Sequence, residues 1–316
     1  MIIEDEEIGF DIEALSPQVH ENMAIVPLKS KVSYKLDILT LKKGLELGLV
    51  EVKECENSTV NTIMVKNDAV TPLILIDGEE ILGANQNRIV NSTLLIGSKT
   101  SQPISVSCTE HGRWAYKSEF QQSEYIANFN TRRAKETATR NHGNFQKAVW
   151  DSIECLETDN SFKSPTSAMS ESYDNLKNSH NEFLKAIEIV EGQCGVLVIQ
   201  NGEIKGFEIF YNPQIYREYH EKILRSYLID NKIKTTQFTI NMDEIESVIH
   251  DAAISPFDKK DSEGMEVKFE FENDYGLGTL YTYDDEIIHW SYFKKAEETF
   301  TDTLSEKSSF EDVIKI

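Results

Sequence analysis

The period of the hydrophobic pattern changes along this chain, and that change most constrains the fold. Over residues 22–106, short segments rich in Val, Ile and Thr are bounded by Asn, Asp, Gly or Pro, which is typical of β-strands. Over residues 123–189, apolar residues recur instead at helical spacing. Because the two kinds of segment are grouped rather than alternating, the sequence predicts an α+β fold, with mostly antiparallel sheets packed against several helices.

Three local patterns add detail to this prediction. Apolar residues at helical spacing predict a first helix over residues 36–47, with Gly48 as its stop. A later helix is predicted to begin at Ser164, because a proline follows in what would be its first turn. Between two alternating segments, Asn201-Gly202 predicts a β-hairpin with a type I′ turn.

No repeat, low-complexity tract or Gly/Ser-rich linker interrupts the chain. We therefore predict one domain over residues 1–293, with a β-rich part (1–120), a helical part (121–190) and a mixed part (191–293). Residues 294–316 are predicted to form a charged tail that ligand binding does not need. The alternative is that the tail docks on the core and stabilises it.

Charge and composition exclude several classes of function. The 316 residues include 54 Asp and Glu against 32 Lys and Arg, a net charge of −22. Nucleic acids and anionic membranes are disfavoured as partners, because their phosphates would be repelled. An acidic start and the lack of an apolar run of about 18 residues predict a cytoplasmic protein. The four cysteines form no CxxC pair, so neither a zinc site nor a disulfide framework is indicated.

Residues 77–88 interrupt the strand pattern with a dense polar segment, DGEEILGANQNR. Small residues allow a ligand to approach the backbone, and Gln, Asn and Arg side chains can bind a planar or anionic group. The alternative is a hairpin with Asp-Gly as its turn. The candidates here are Glu79 and Glu80 as catalytic groups, and Gly78, Gly83, Gln86, Asn87 and Arg88 as ligand-binding groups.

A second polar segment, SCTEHGRW, covers residues 107–114. Glu110 is a further catalytic candidate, and Arg113 and Trp114 are further ligand-binding candidates. An internal Glu110–Arg113 ion pair is the alternative for those two residues. Cys108 is predicted to be buried and dispensable, because strand alternation turns it to an apolar face. We expect the two polar segments to lie on adjacent strands or strand ends and to line one cavity.

A metal site is one further interpretation of the carboxylates. Asp77 and Glu80 are the candidate ligands, since oxygen ligands suit a divalent cation such as magnesium. The alternative is that these carboxylates belong to a solvated acidic surface. The histidines show no zinc-ligand spacing, and no glycine-rich nucleotide-binding signature occurs.

A resemblance to a known family rests on two stretches, LILIDGEEILGANQNRIVNSTLLI and PISVSCTEHGRW. They resemble the ADP-ribosylglycohydrolase and rhodanese-phosphatase-superfamily-associated protein domain. The resemblance extends over most of the chain and implies work on NAD-derived ADP-ribose compounds, by association rather than by mechanism. Asn85 departs from the family pattern, which has lysine there. The positions carried over are the site candidates of the two segments except Asp77, together with Ala84 and Cys108.

Three functions are consistent with these observations. The first is an enzyme acting on a nucleotide-like or NAD-derived ADP-ribose compound, in which the glutamates act as general base or metal ligand, the arginines hold phosphate and the tryptophan stacks on the base. The second is a non-catalytic nucleotide-binding or sensing module. The third is a protein-protein interaction domain with an acidic surface. The ligand expected in the first two is a small nucleotide-like molecule, and a homo-oligomer is left open.

Overall fold

The computed structural model describes residues 11–32, 34–55, 61–141, 143–210, 212–235 and 237–295, and the backbone of two short strands before them. In chain order the strands up to residue 82 are β1 (Ile2–Ile3), β2 (Glu6–Glu7), β3 (Ile12–Ala14), β4 (Gln18–His20), β5 (Met23–Ser30), β6 (Leu39–Thr40), β7 (Val50–Glu54), β8 (Thr62–Asn67), β9 (Leu73–Leu75) and β10 (Glu79–Leu82). The later strands are β11 (Arg88–Val90), β12 (Leu94–Ile96), β13 (Thr100–Cys108), β14 (Gln121–Ile126), β15 (Gln193–Gln200), β16 (Glu203–Ile209), β17 (Phe257–Lys260), β18 (Val267–Glu272), β19 (Gly276–Tyr283) and β20 (Glu286–Lys294).

The helices of the described residues are fewer, and five of the six lie between residues 129 and 254. They are α1 (Leu41–Glu46), α2 (Phe129–Arg140), α3 (Phe145–Asp159), α4 (Met169–Ala186), α5 (Pro213–Leu228) and α6 (Met242–Ile254). Together with sheets that are almost entirely antiparallel, they confirm the predicted α+β class.

Three sheets carry the fold. A nine-stranded sheet has the order β17-β18-β19-β20-β16-β15-β5-β3, with β4 also paired to β5. A six-stranded sheet has the order β14-β10-β11-β13-β8-β7. A small sheet joins β12, β9 and β6, and its β6–β9 pair is parallel. The first polar segment contains β10 and the start of β11, and the second begins in the last two residues of β13, which is a neighbour of β11 in the six-stranded sheet. The prediction that the segments lie on adjacent strands or strand ends is confirmed, and the expectation that they line one cavity stays a prediction.

The core follows from strand alternation. Val196 and Val198 of β15 pack in one apolar cluster with α5, while Leu197 packs in another with α6. Successive side chains of a strand point to opposite faces, so the nine-stranded sheet is covered on both sides. A third apolar cluster includes Ile81 and Val106 of the six-stranded sheet. In a fourth cluster, Ile89 of the same sheet packs with residues of α3 and α4.

The Asn201-Gly202 turn is confirmed. It connects β15 and β16, and both residues have positive φ, 53° and 84°. A type I′ turn needs positive φ at both central positions, which Asn and Gly tolerate best.

Two helix predictions are wrong in their boundaries. The helix expected over residues 36–47 spans only Leu41–Glu46, because the Thr40 side chain accepts a hydrogen bond from the backbone N–H of Lys43 and caps the helix there. Gly48, at φ +65°, does follow its end. Ser164 does not begin α4. Its hydroxyl instead accepts hydrogen bonds from the backbone N–H groups of Thr166 and Ala168, in a turn before the helix.

Three further predictions concern where a helical stretch begins, what the Asp77-Gly78 turn connects and where the tail begins. The stretch expected to be helical from residue 123 begins with strand β14. Asp77-Gly78 is a turn, but it joins β9 and β10 of different sheets and so closes no hairpin. Lys294 ends β20, and residues 296–316 of the predicted tail lie outside the described residues.

Candidate functional site

Glu79 and Glu80 are neighbours on β10, and strand alternation sends their side chains to opposite faces of the sheet. Both are fully buried. The Glu79 carboxylate accepts hydrogen bonds from Lys222 Nζ and the Tyr219 hydroxyl on α5, each at 3.0 Å. Glu79 and Glu80 therefore place their carboxylates in two different environments and do not form one paired site.

Glu80 has no cationic partner within the described residues. Its carboxyl group accepts hydrogen bonds from the Ser123 hydroxyl at 2.8 Å and the Thr109 hydroxyl at 3.1 Å. Burial raises the pKa of Glu80 to about 7, although the two hydroxyl hydrogen bonds oppose the rise. A carboxyl group with that pKa changes its protonation state near neutral pH, which is the property required of a general acid or base.

Glu110 and Arg113 form the internal ion pair weighed as the alternative to catalysis. Arg113 Nε lies 2.8 Å from Glu110 Oε2, and the Thr166 hydroxyl donates to Oε1 at 2.9 Å. Burial opposes the charged form, but the hydrogen bonds from Arg113 and Thr166 outweigh it and lower the pKa of Glu110. The same guanidinium donates to the backbone carbonyls of Gly83 and Ala84. Arg113 therefore ties the two polar segments together.

The other residues proposed to bind a ligand contact protein groups. Gln86 Nε2 donates to the Glu110 carbonyl at 3.0 Å, and Asn87 Oδ1 accepts from the Gly83 N–H at 3.1 Å. A Cβ at Gly78 would lie 2.9 Å from Arg132 Cδ, and one at Gly83 would lie 2.5 Å from the Glu119 carbonyl oxygen. Both glycines are thus required by close approach of the chain to itself, and their role in ligand binding stays a prediction.

Arg88, Cys108 and Trp114 lie in contrasting places. Arg88 is fully buried opposite Cys108 in the β11–β13 register, and its Nη1 donates to Gln86 Oε1 at 3.1 Å. Cys108 is buried, as predicted, and burial raises the pKa of its thiol. Trp114 is 59% exposed, on a loop fixed by Arg113.

Asp77 belongs to a buried charged network between the sheets. Arg132 on α2 donates to Asp77 Oδ2 at 3.1 Å and to both oxygens of Glu208 on β16, at 2.5 and 3.0 Å. Lys135 pairs with the other Asp77 oxygen. His289 of β20 contacts Glu208 Oε2 at 3.2 Å. We call these five residues the inter-sheet network.

This arrangement bears on the proposed metal ligands. Both oxygens of Asp77 are engaged by cationic side chains, whereas Glu80 is held by hydroxyl groups of other elements, so the two share no partner. Over the described ranges, no group of three or more His, Cys, Asp or Glu side chains is placed to hold a metal ion. A magnesium site at Asp77 and Glu80 therefore gains no support from the geometry.

A polar cleft of about 830 Å³ lies between α1, β14, α4 and α5. Its lining includes Ser123, which donates to Glu80, and Lys222, which pairs with Glu79. We call it the β14–α5 cleft. Neither polar segment lines it, so both glutamates connect to it through one intervening side chain. Its basic side chains are Lys42, Lys177, Arg217, Lys222 and Arg225.

Arg225 stands out among the lining residues. It is 5% exposed, and its Nη2 donates to Asn181 Oδ1 at 2.7 Å. Its Nη1 is buried and makes no hydrogen bond with any described residue. A buried guanidinium donor without an acceptor is costly, so a ligand that supplies an acceptor in the cleft would be favoured.

The cleft was missed in the sequence, although α5 carries a signal for it. Charged residues recur along that helix every three or four positions, at 217–218, 221–222 and 225, while its other faces are apolar. Such a stripe is usually a solvated face, which is why spacing alone did not identify it. Ser123 gave no signal of its own.

These features define an α+β protein in which buried carboxylates of one strand connect, through Ser123 and Lys222, to a polar cleft. The chain belongs to the family described as the ARG and rhodanese-phosphatase-superfamily-associated protein domain, whose family model matches residues 11–293. The resemblance drawn from the two polar segments is confirmed. No curated protein and no solved structure matches the chain. In the part of the chain that the structure describes, no helix is long and apolar enough to cross a membrane.

Proposed function

We propose that this protein is an enzyme acting on a phosphorylated, nucleotide-like compound of the ADP-ribose class, bound in the β14–α5 cleft. The observation that carries the proposal is the position of Ser123, which lines the cleft and donates to Glu80. This contact gives a carboxyl group with a pKa of about 7 a route to a bound ligand. The family description, which names the ARG superfamily, supports the choice of substrate class.

The cleft suits such a ligand in size and charge. Pockets for small molecules commonly measure about 300–1,000 Å³, and this one measures about 830 Å³. Lys222 and Arg225 are each more than nine-tenths buried in its lining, where a desolvated cation binds phosphate oxygens strongly. The lining has five basic and four acidic side chains, an excess of one positive charge in a chain of net charge −22, and its two buried cations are the groups expected to bind phosphate. The acidic side chains are Glu46, Glu124, Glu218 and Glu221.

The proposed role of Glu80 is that of general base. A water molecule in the cleft transfers a proton to Ser123 Oγ as the Ser123 hydroxyl proton passes to Glu80. The water oxygen forms a bond to the electrophilic atom of the substrate, and the bond from that atom to the leaving group breaks. The leaving group departs with the bonding electron pair and takes up a proton from solvent. Glu79 has a different role, because it is the counter-charge that orients Lys222. Glu110 fixes the loop through Arg113 and takes no part in proton transfer.

A non-catalytic nucleotide-binding module is the second candidate. It is favoured by the hydrogen bonds that Glu79, Glu80 and Glu110 already make to protein groups, since a satisfied carboxyl group needs no substrate. The two functions share the cleft and differ in turnover.

Binding is tested by isothermal titration calorimetry with ADP-ribose, NAD and ribose 5-phosphate. Arg225→Gln should weaken ADP-ribose binding by about 2 kcal/mol, within the range for a hydrogen bond to a charged group. Arg140→Gln is the matched control, because Arg140 is a largely buried guanidinium that donates to the carbonyls of Phe271 and Gly278 and does not line the cleft. Equal affinities in the two variants would place the ligand elsewhere.

Turnover is tested with Glu80→Gln, which keeps the shape of the side chain and its acceptor oxygen. We expect ADP-ribose binding within about threefold of wild type and a loss of turnover of about 10²-fold or more. The wild-type rate should rise with pH through about 7, as the base ionises. Binding without turnover in the wild type would favour the non-catalytic module.

A further inference from the structure

We propose that a second cavity, which shares no lining residue with the cleft, binds a phosphoryl oxyanion. It measures about 270 Å³ and lies beside the start of α2, the β15–β16 turn and the end of β20. Its lining contains five cations and two carboxylates, an excess of three positive charges in a chain whose net charge is −22. We call it the basic cavity. The cations are Arg133, Lys205, Lys234, Lys294 and Lys295.

The positive charge of the basic cavity is not cancelled by its own ion pairs. Lys205 and Lys294 share one carboxylate, Glu203, at 2.8 and 3.6 Å. Arg133 donates only to neutral oxygens, Asn130 Oδ1 at 2.9 Å and the Lys294 carbonyl at 3.3 Å. Lys295 is paired with Glu272, which lies outside the lining, at 2.6 Å. Counting Glu272, the five cations still exceed the three nearby carboxylates by two, which leaves positive charge for an added anion.

Arg133 is also held in position before any ligand binds. Its guanidinium lies 5.0 Å from the centre of the Phe129 ring, in a cation–π contact. The second carboxylate of the cavity, Asp230, accepts hydrogen bonds from Asn128 Nδ2 and the Asn130 N–H, so it is used to cap α2. A pre-positioned arginine loses less freedom when it binds an oxyanion.

The cations come from four separate stretches of the chain, around residues 133, 205, 234 and 294–295. Like charges repel, so a fold that gathers them without equal counter-charge stores an electrostatic cost that an anionic ligand relieves. A phosphoryl group is the expected ligand, because its several oxygens can accept from arginine and lysine donors together.

A neighbouring cavity of about 420 Å³ distinguishes two sources of the phosphoryl group. It shares Glu203 and Lys294 with the basic cavity and contains Tyr275 and Tyr292. A free pyrophosphate would fill the basic cavity alone, whereas a nucleoside diphosphate could also place its base against a tyrosine ring.

The test is calorimetric titration with pyrophosphate in the Arg225→Gln background, which removes an anion-binding group of the β14–α5 cleft and keeps the two proposals separable. In that background, Lys234→Glu should lower pyrophosphate affinity about tenfold or more by reversing one charge. Lys53→Glu is the control, because it makes the same charge change on β7, outside the cavity lining. Lys234 and Lys53 are both exposed, so neither variant should unfold the chain.

Two results would overturn the basic cavity as an oxyanion site. One is loss of all pyrophosphate binding in Arg225→Gln alone, and the other is equal affinity in the Lys234→Glu and Lys53→Glu variants. If the site stands, Tyr275→Ala identifies the source. A selective loss of ADP affinity indicates a nucleoside diphosphate, and unchanged ADP and pyrophosphate affinities indicate a free oxyanion.

Discussion

At the residue scale, two neighbouring buried acids have different partners. Glu79 meets an ammonium group and a phenol, so its charge is compensated where it lies. Glu80, one residue later, meets two hydroxyl groups and no cation among the described residues. Burying an uncompensated carboxylate is unfavourable, and the group responds by holding its proton to higher pH.

Glu80→Gln should therefore change the pH dependence of stability. Burial raises the pKa of Glu80 from an ordinary value near 4.5 to about 7, so between these values the folded state keeps a proton that the unfolded chain has released. Wild-type stability falls as pH rises through this window, by about 3 kcal/mol in total. Glutamine does not ionise, so the free energy of unfolding of the variant should rise relative to that of wild type between pH 5 and pH 8.

Urea unfolding of both proteins at pH 5 and pH 8 measures this gain. A difference in unfolding free energy that stays constant across the two pH values would show that Glu80 has an ordinary pKa. Glu51→Gln, at an exposed position on β7, is the control for loss of one acidic group.

At the element scale, the sequence predicted what depends on local chemistry. Strands rich in Val and Ile, the Asn201-Gly202 turn and the stop at Gly48 were predicted because each is decided within a few residues. The start of α4 was not predicted correctly, because a serine such as Ser164 can cap a helix or stabilise a turn ahead of one, and here it does the second. Strand β14 falls within the stretch predicted to be helical, because its residues alternate only weakly between buried and exposed.

The hairpin turn gives a prediction at this scale. Asn201 has φ 53°, and its side chain accepts from Asn22 Nδ2 at 2.9 Å and from the Lys234 N–H at 2.9 Å. Asn201→Ala loses both the tolerance for positive φ and these hydrogen bonds, so unfolding free energy should drop by about 2–3 kcal/mol.

Asn201→Gly separates the two contributions. Glycine keeps the backbone conformation and loses only the side-chain hydrogen bonds. The unfolding free energy of Asn201→Gly should therefore fall by about 1 kcal/mol less than that of Asn201→Ala. Thermal and urea unfolding of the three proteins provide the comparison. Equal losses in both variants would mean that positive φ contributes nothing here.

At the scale of the whole molecule, the inter-sheet network joins parts of the chain that no sequence pattern relates. Asp77, Arg132, Glu208 and His289 come from a turn, a helix and two strands, separated by 55 to 81 positions along the hydrogen-bonded pairs. The β14–α5 cleft has the same character, because Ser123 and Lys222 meet only after folding. Long-range convergence of this kind explains why the strands of the site were predictable and its cleft was not.

Glu208→Gln tests how strongly the network holds the molecule together. Burial opposes the charged form, but the charge of Arg132 and the hydrogen bond from His289 lower the pKa of Glu208 to about 2. Its contribution to stability is present above the ordinary pKa near 4.5 and is lost as pH falls towards 2. Removing the charge leaves Arg132 buried with a single anionic partner, Asp77, and should cost about 3 kcal/mol or more at pH 7.

The measurement is urea unfolding of wild type, Glu208→Gln and the exposed control Glu51→Gln at pH 7 and pH 3. The gap between wild type and Glu208→Gln should narrow at pH 3, where the wild-type carboxylate starts to lose its advantage. A gap below about 1 kcal/mol at pH 7, the size expected of a surface pair, would show that the network does not stabilise the fold.

The opposite orientation of Glu79 and Glu80 also has a consequence for sequence variation. In a strand, the parity of a position decides its face, so inserting one residue ahead of β10 and shifting its register would turn every side chain of the strand to the other face. Glu79 would then take the position beside Ser123, and Glu80 would take the position of Ile81 in an apolar cluster, with an unchanged local motif. The length of the turn at Asp77-Gly78 thus assigns which acid pairs with Lys222 and which one contacts Ser123, and two homologues with identical GEE motifs but different turn lengths would not be equivalent.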